Sequence, residues 1–275
     1  MSNGEICRWA WDKSREYRGV IWAAALLTFL VELPQITLGL LELLKGWNLP
    51  FGWEIPFQWV GTMAGFGLTG VILGLALEQE TSPGKVFLPF SRDYFKRAAL
   101  LALFLTVVTA LIRIVPNRII FQGQEGIKAA LTQIETTEDE GAWNSLFGEY
   151  MKASDRVSKG EMLNNIISIV LEVVFFPLPY LLFLSQEEKT IKLLQENMWN
   201  LSYNLFWILG IQVRTIGPFI LAALFAGFFL NNAFIALALV GIGFFLWYPW
   251  ATLALARSAA EVLGKGPRDP WWART

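Results

Sequence analysis

Six stretches of this chain are apolar enough, for long enough, to be read as helices crossing a bilayer. They run over about 20–44, 58–77, 95–115, 162–184, 205–230 and 233–256, each near the roughly 20 residues that about 30 Å of hydrocarbon requires. Residues 1–19 form a polar arm ahead of the first. That first stretch is too long for a cleaved signal and lacks an A-x-A site, so it reads as a retained span. Only Asn231 and Asn232 separate the fifth from the sixth, a pair suited to a tight helical turn.

Between the third and fourth spans the pattern changes. Residues 122–160 are acidic and contain "IETTEDE", yet apolar residues recur at helical spacing: Ile127, Leu131 and Ile134, then Trp143, Leu146, Phe147, Tyr150 and Met151. Two short amphipathic helices, lying on the bilayer or capping the bundle, fit this pattern. A packed cap is favoured over a binding lid. "EEKTIKLLQENMWNLSYNLFW" ahead of the fifth span and "FLPFSRDYFKRAA" ahead of the third read as amphipathic interfacial segments. The expected fold is therefore all-α: a polytopic membrane helix bundle forming one integral membrane domain over 1–275.

Composition agrees and gives an orientation. Of 275 residues 55% are hydrophobic and 16% charged, too little polar surface for a water-soluble domain of this length. Thirteen tryptophans suit anchoring at the lipid–water boundary. Leaving out Arg113 and Arg214, and taking Lys96 and Arg97 at the leading edge of the third span with the segment before it, 14 Lys and Arg fall on the side of the termini and 6 on the other. Both termini are thus expected in the cytoplasm of a multi-pass protein of the cytoplasmic (inner) membrane. A net charge of −1 argues against nucleic acid as a partner. The bilayer itself, and other membrane proteins, are the partners expected. The chain has no histidine, which removes imidazole ligands and bases, and its one cysteine, Cys7, can form neither an internal disulfide nor a thiolate cluster. No metal and no cofactor is expected.

Glu32, Arg113, Glu172 and Arg214 interrupt the spans. An unpaired charge at mid-bilayer costs roughly 2.5–3.5 kcal/mol on insertion scales, so pairing is expected. At about 1.5 Å rise per residue, Glu32 and Glu172 lie about 18 Å from the cytoplasmic ends of their spans and Arg214 about 14 Å. Arg113, at about 27 Å, is placed to snorkel outward. Arg214 is therefore expected to act as counter-ion to Glu172, Glu32 or both. Asn165, Ser168 and Glu172 share one helical face, as do Gly210, Arg214 and Gly217, which would let a neighbour approach the guanidinium. Glu32, Asn165, Ser168, Glu172 and Arg214 thus make up a candidate intramembrane binding cluster. Prolines 34, 116, 177 and 218 lie near these charges, as they would in a transporter site or in a structural polar core. The absence of a clear internal repeat favours the structural core. In the second span, Gly61-x-x-x-Gly65 and Gly70-x-x-x-Gly74 suggest a tightly packed central helix, with homodimerisation the weaker alternative.

The segments "FSRDYFKRAALLALFLTVV", "IKLLQENMWNLSYNLFWILG" and "YPWATLALARSAAEVL" resemble a group of bacterial six-helix membrane proteins. They are also similar to the membrane domain attached to some glycerophosphodiester phosphodiesterases. The likeness covers most of the chain as a hydrophobic pattern. It implies a membrane bundle without a catalytic motif, since the phosphodiesterase catalytic domain is absent. No Walker loop, G-x-S-x-G elbow, H-E-x-x-H or dinucleotide fingerprint occurs, and "GFGLTG" lies within an apolar span without a following lysine. No catalytic residue is assigned. A non-enzymatic accessory, assembly or envelope-organising role is expected first. A transporter or lipid-handling protein is second, and an intramembrane enzyme a distant third.

Overall fold

The computed structural model describes residues 1–45, 53–136, 140–185, 189–229 and 233–263, with side chains excepted at 39–45, 136, 140–141, 220, 222–229 and 233–240. Helices dominate, and no strand occurs among the described residues. In chain order they are α1 (Asn3–Lys45), α2 (Glu54–Ala76), α3 (Arg92–Thr136), α4 (Glu140–Phe175), α5 (Leu178–Leu184), α6 (Thr190–Phe229) and α7 (Ala233–Val262), with a 3-10 segment at Pro83–Phe90 between α2 and α3. Among the described residues, four stretches are long and apolar enough to cross a membrane: Asn3–Leu38, Glu54–Ala76, Arg92–Glu135 and Ala142–Leu184. The fifth and sixth expected spans fall on α6 and α7, and their connecting pair, Asn231 and Asn232, lies outside the described residues.

The polar arm at the N-terminus is not separate from the first span. Ser2 and Glu5 close a capping box: the Ser2 N–H donates to Glu5 Oε2 at 2.6 Å and the Glu5 N–H donates to Ser2 Oγ at 3.3 Å. From there α1 runs unbroken through Lys45, with Pro34 inside it.

The single domain expected over 1–275 resolves into two compact units, Met1–Thr106 with Val174–Thr275, and Val107–Val173. In the first, α2 is the central helix, packed on α1, α5, α7 and the 3-10 segment. Its glycines set these approaches. A Cβ on Gly67 would lie 1.8 Å from the Val86 carbonyl oxygen, one on Gly70 2.8 Å from the Phe183 ring, and one on Gly61 3.2 Å from Glu32 Cγ. A Cβ on Gly65 would meet nothing within 4 Å. Close packing through α2 is as expected, but Gly65 takes no part in it, and Gly67 makes the tightest approach of these four.

The 3-10 segment is the reason. Val86, fully buried, lies beside Gly67, nine residues before the end of α2 and so about 14 Å back along it. These residues fold back onto the bundle instead of lying as an interfacial helix. The reversal begins at Glu78, which takes φ 56° while the Gln79 N–H donates to the Gly74 carbonyl at 2.9 Å and the Glu78 N–H to the Leu75 carbonyl at 3.0 Å. This is the helix-ending arrangement usually given to glycine, and left-handed backbone costs another residue about 1–2 kcal/mol. The Glu78 carboxylate offsets some of that by accepting a hydrogen bond from Trp9 Nε1 at 3.1 Å.

The expected fourth span breaks near its end: α4 stops at Phe175 and Pro177 leads into the short, buried α5. α6 and α7 lie antiparallel, with Trp207 Nε1 donating to Ser258 Oγ at 2.9 Å and Phe219 stacked 5.0 Å from Trp247. α1 packs on α7 through Trp250 Nε1, which donates to the Cys7 carbonyl at 2.9 Å, and through Trp22 stacked 4.9 Å from Phe245.

The second unit is an antiparallel helical hairpin made by α3 and α4. Its register follows from close neighbours: Arg113 with Ser168, Asn117 with Asn164, Ile120 with Gly160, Gly123 with Val157 and Gly126 with Ala153. Here the expectation for 122–160 is corrected. These residues do not form two separate surface helices. They continue α3 to Thr136 and begin α4 at Glu140, with 137–139 outside the described residues. Pro116 was expected near the end of the third span, but it sits inside α3. Gly160 faces it, where a Cβ would come within 3.1 Å of the Pro116 carbonyl oxygen.

Candidate functional site

The two unit-1 members of the charged cluster are not brought together. Glu32 lies on α1 against Gly61 of α2, whereas Arg214 of α6 lies beside Gly4, where a Cβ would be 3.7 Å from its guanidinium. Gly4 and Glu32 are 28 residues apart on the same continuous helix, about 42 Å at helical rise. No counter-ion relation between Glu32 and Arg214 is compatible with that separation. Neither has an ion-pair partner among the described residues. Arg214 is exposed and Glu32 half-buried. For Glu32 and Arg214 the depth argument failed because it compared distances along separate spans and ignored where α1 begins. The first turn of α1, expected outside the bundle, packs beside α6.

The glycine face around Arg214 is half correct. Gly210 does admit a neighbour, for a Cβ there would be 3.2 Å from Asn3 Nδ2. Gly217 would meet only Val213 of its own helix.

Asn165, Ser168 and Glu172 belong to the other unit. Asn165 and Glu172 are exposed, and Ser168 is engaged within the hairpin. Arg113 Nη2 donates to Ser168 Oγ at 2.6 Å, and that hydroxyl donates to the Asn164 carbonyl at 2.9 Å. One turn further, Asn164 Nδ2 donates to Asn117 Oδ1 at 3.0 Å. Arg113 therefore turns inward to its partner helix, where it was expected to snorkel outward. The signal for this pair of contacts was present: polar residues four apart on each of two facing helices, Arg113 with Asn117 and Asn164 with Ser168.

The polar junction that sequence reading missed gathers the ends of α1, α2 and α7. Arg257 Nη1 donates to the Ala76 carbonyl at 2.9 Å, its guanidinium stands 5.4 Å over the Trp9 ring, and its Nε is 3.6 Å from Glu261. Glu261 in turn lies 3.4 Å from the Met1 amine. Arg257 thus satisfies a terminal helix carbonyl that α2 leaves open. Its partners Ala76 and Trp9 lie 181 and 248 positions away in sequence, so no local pattern marks them. Nearby on the chain, burial pushes the Lys85 ammonium below the usual lysine range, with Glu80 opposing. Arg113 with Ser168 ties α3 to α4, and Arg257 ties α7 to α2 and α1.

If Glu32 and Arg214 are independent, the Glu32→Gln/Arg214→Gln double variant should show the sum of the single effects on unfolding in detergent, within about 0.5 kcal/mol. A coupling above about 1 kcal/mol would place them in contact. No protein family, curated protein or solved structure matches this chain, so its function has to be read from its own residues.

Proposed function

We propose that this chain is a six-span protein of the cytoplasmic membrane, with both termini in the cytoplasm, and that it carries out no chemical step. Its role on this reading is accessory: it assembles or organises components of the envelope, with residues 122–160 outside the cytoplasm. The observation that carries the reading is the separation of Glu32 from Arg214 along α1. A solute site at the membrane midplane needs polar groups that converge, and two of the ionisable groups available for one face different helices. The 14-to-6 division of Lys and Arg supports the orientation. The distal parts of α3 and α4, past the apolar windows, offer about 30 Å of helix in water. The resemblance to membrane domains without a catalytic motif fits a non-catalytic part.

Two measurements test this. In a C7S background, a cysteine at exposed Glu149 should react with an impermeant maleimide from outside the cell, and one at Lys189 only after the membrane is opened. The reverse pattern overturns the orientation. In a strain lacking the protein, the Glu32→Gln/Arg214→Gln variant should restore the phenotype, whereas removal of residues 122–157 should not. The opposite pair of results would promote the transporter or lipid-handling reading.

A further inference from the structure

α3 carries its own measure of the bilayer. Leu100, Leu103, Val107, Leu111 and Ile114 recur every three or four residues along one face, all between 44% and 61% exposed. Exposed Lys96 begins that face and exposed Arg118 ends it, with no ionisable residue on the face between them. The 22 positions from Lys96 to Arg118 cover about 33 Å at helical rise, close to the roughly 30 Å of a hydrocarbon core. Lys96 thus stands at one boundary of the core. Arg92, one turn further out, reaches about 6 Å into the headgroup layer.

Neither cation is engaged by the protein. Arg92 and Lys96 are exposed and have no hydrogen bond or ion pair among the described residues. Arg97, on the same turn, lies 5.2 Å over the Tyr94 ring. Asp93 is the acid of this turn, exposed beside them, and residues 92–97 keep a net charge of +2. Arg92 is the first residue of α3, where a cation opposes the helix dipole, and like charges four residues apart repel each other. A layer of anions reverses both effects. Exposed Phe95, three residues on from Arg92, adds an apolar ring at the same level.

We infer that Arg92 and Lys96 hold the phosphate of an anionic phospholipid whose acyl chains lie along the face from Leu100 to Ile114. The inference rests on the proposed function in one respect, that α3 crosses a bilayer. The occupant is a lipid because the cations run directly into an apolar face, which hydrocarbon attached to the headgroup covers and a free phosphate leaves bare. A zwitterionic headgroup brings its own cation to the phosphate, so a net charge of +2 selects the anionic lipid. Each Lys or Arg at an anionic surface gives about a fivefold preference, screened by salt.

The test uses the full chain in a C7S background, reconstituted in phosphatidylcholine nanodiscs. A minor share of the lipid, brominated in its acyl chains, is either phosphatidylglycerol or phosphatidylcholine. For a bimane on Leu100→Cys, quenching against mole fraction should give an association constant at least fivefold higher for the brominated phosphatidylglycerol. Arg92→Gln/Lys96→Gln leaves Arg97 against Asp93 and should bring that ratio to about one. In the parent, raising salt from about 0.05 to about 0.5 M should lower the ratio, while excess inorganic phosphate at constant ionic strength should leave it unchanged. A parent ratio near one, a ratio that survives Arg92→Gln/Lys96→Gln, or one indifferent to salt would each overturn the inference. Loss of the preference to inorganic phosphate would overturn it in favour of a soluble anion. A bimane on Leu111→Cys separates the two readings. If both brominated lipids quench it and Leu100→Cys shows no preference, only the lipid site fails. If neither quenches it, α3 does not face hydrocarbon and the proposed function fails with it.

Discussion

Gly67→Ala should leave almost no folded protein after extraction in detergent. The added methyl would sit 1.8 Å from the Val86 carbonyl oxygen and 2.6 Å from its carbonyl carbon, and these are backbone atoms that no rotamer change can withdraw. Relief requires moving the whole 3-10 segment Pro83–Phe90 away from α2. That exposes Val86 and Pro89, both buried, and loosens α1, which packs on the same segment. Overpacking of this kind typically costs 1–3 kcal/mol where side chains can give way, and a backbone clash puts the cost above about 3 kcal/mol. Gly65→Ala is the matched control, because its methyl meets nothing within 4 Å and alanine is the better helix former by about 1 kcal/mol. Monodisperse yield and thermal unfolding of the two variants give the comparison. A Gly67→Ala protein as stable as the parent would mean that the 3-10 segment does not lie against α2.

Gly123→Leu should act on one unit and spare the other. A Cβ at this position would be 2.6 Å from Val157 Cγ2 and 2.9 Å from the Ala153 carbonyl oxygen. A leucine must therefore pry the two helices apart at the middle of their seam. The cost should exceed about 3 kcal/mol within the Val107–Val173 unit. Limited proteolysis would then cut between residues 116 and 160 in the variant and not in the parent. The fluorescence of Trp9, Trp22 and Trp250, all in the other unit, would stay near the parent spectrum. Protection of 116–160 equal to that of the parent would show that the seam tolerates a branched side chain and is not the close approach described here.

Helical class and the long apolar segments were readable from the chain because both depend on local quantities. A bilayer demands about 20 apolar residues in a helix whose backbone groups are satisfied internally, and that demand is written residue by residue. The close packing around α2 is of the same kind, since it rests on residue types at fixed short spacing. Boundaries were harder. The third span was read as ending at about 115, yet α3 continues through Pro116, with Gly160 of the facing helix close against its carbonyl. The amphipathic pattern over 122–160 was real, but periodicity gives the faces of a helix without saying whether it lies flat or pairs with a neighbour.

The charged residues show where local reading ends. Sequence alone determined that Glu32, Arg113, Glu172 and Arg214 interrupt apolar helices and that such interruptions call for partners. Tertiary structure decided the partners: Ser168 for Arg113, the first turn of α1 beside Arg214, and a glycine face beneath Glu32. It also gave Arg257 the open carbonyl of Ala76, 181 positions away. Depth along a helix axis is fixed by counting residues. Which helices adjoin, and how far one begins before the membrane, depends on how side chains of different size pack, and that is a property of the assembled bundle.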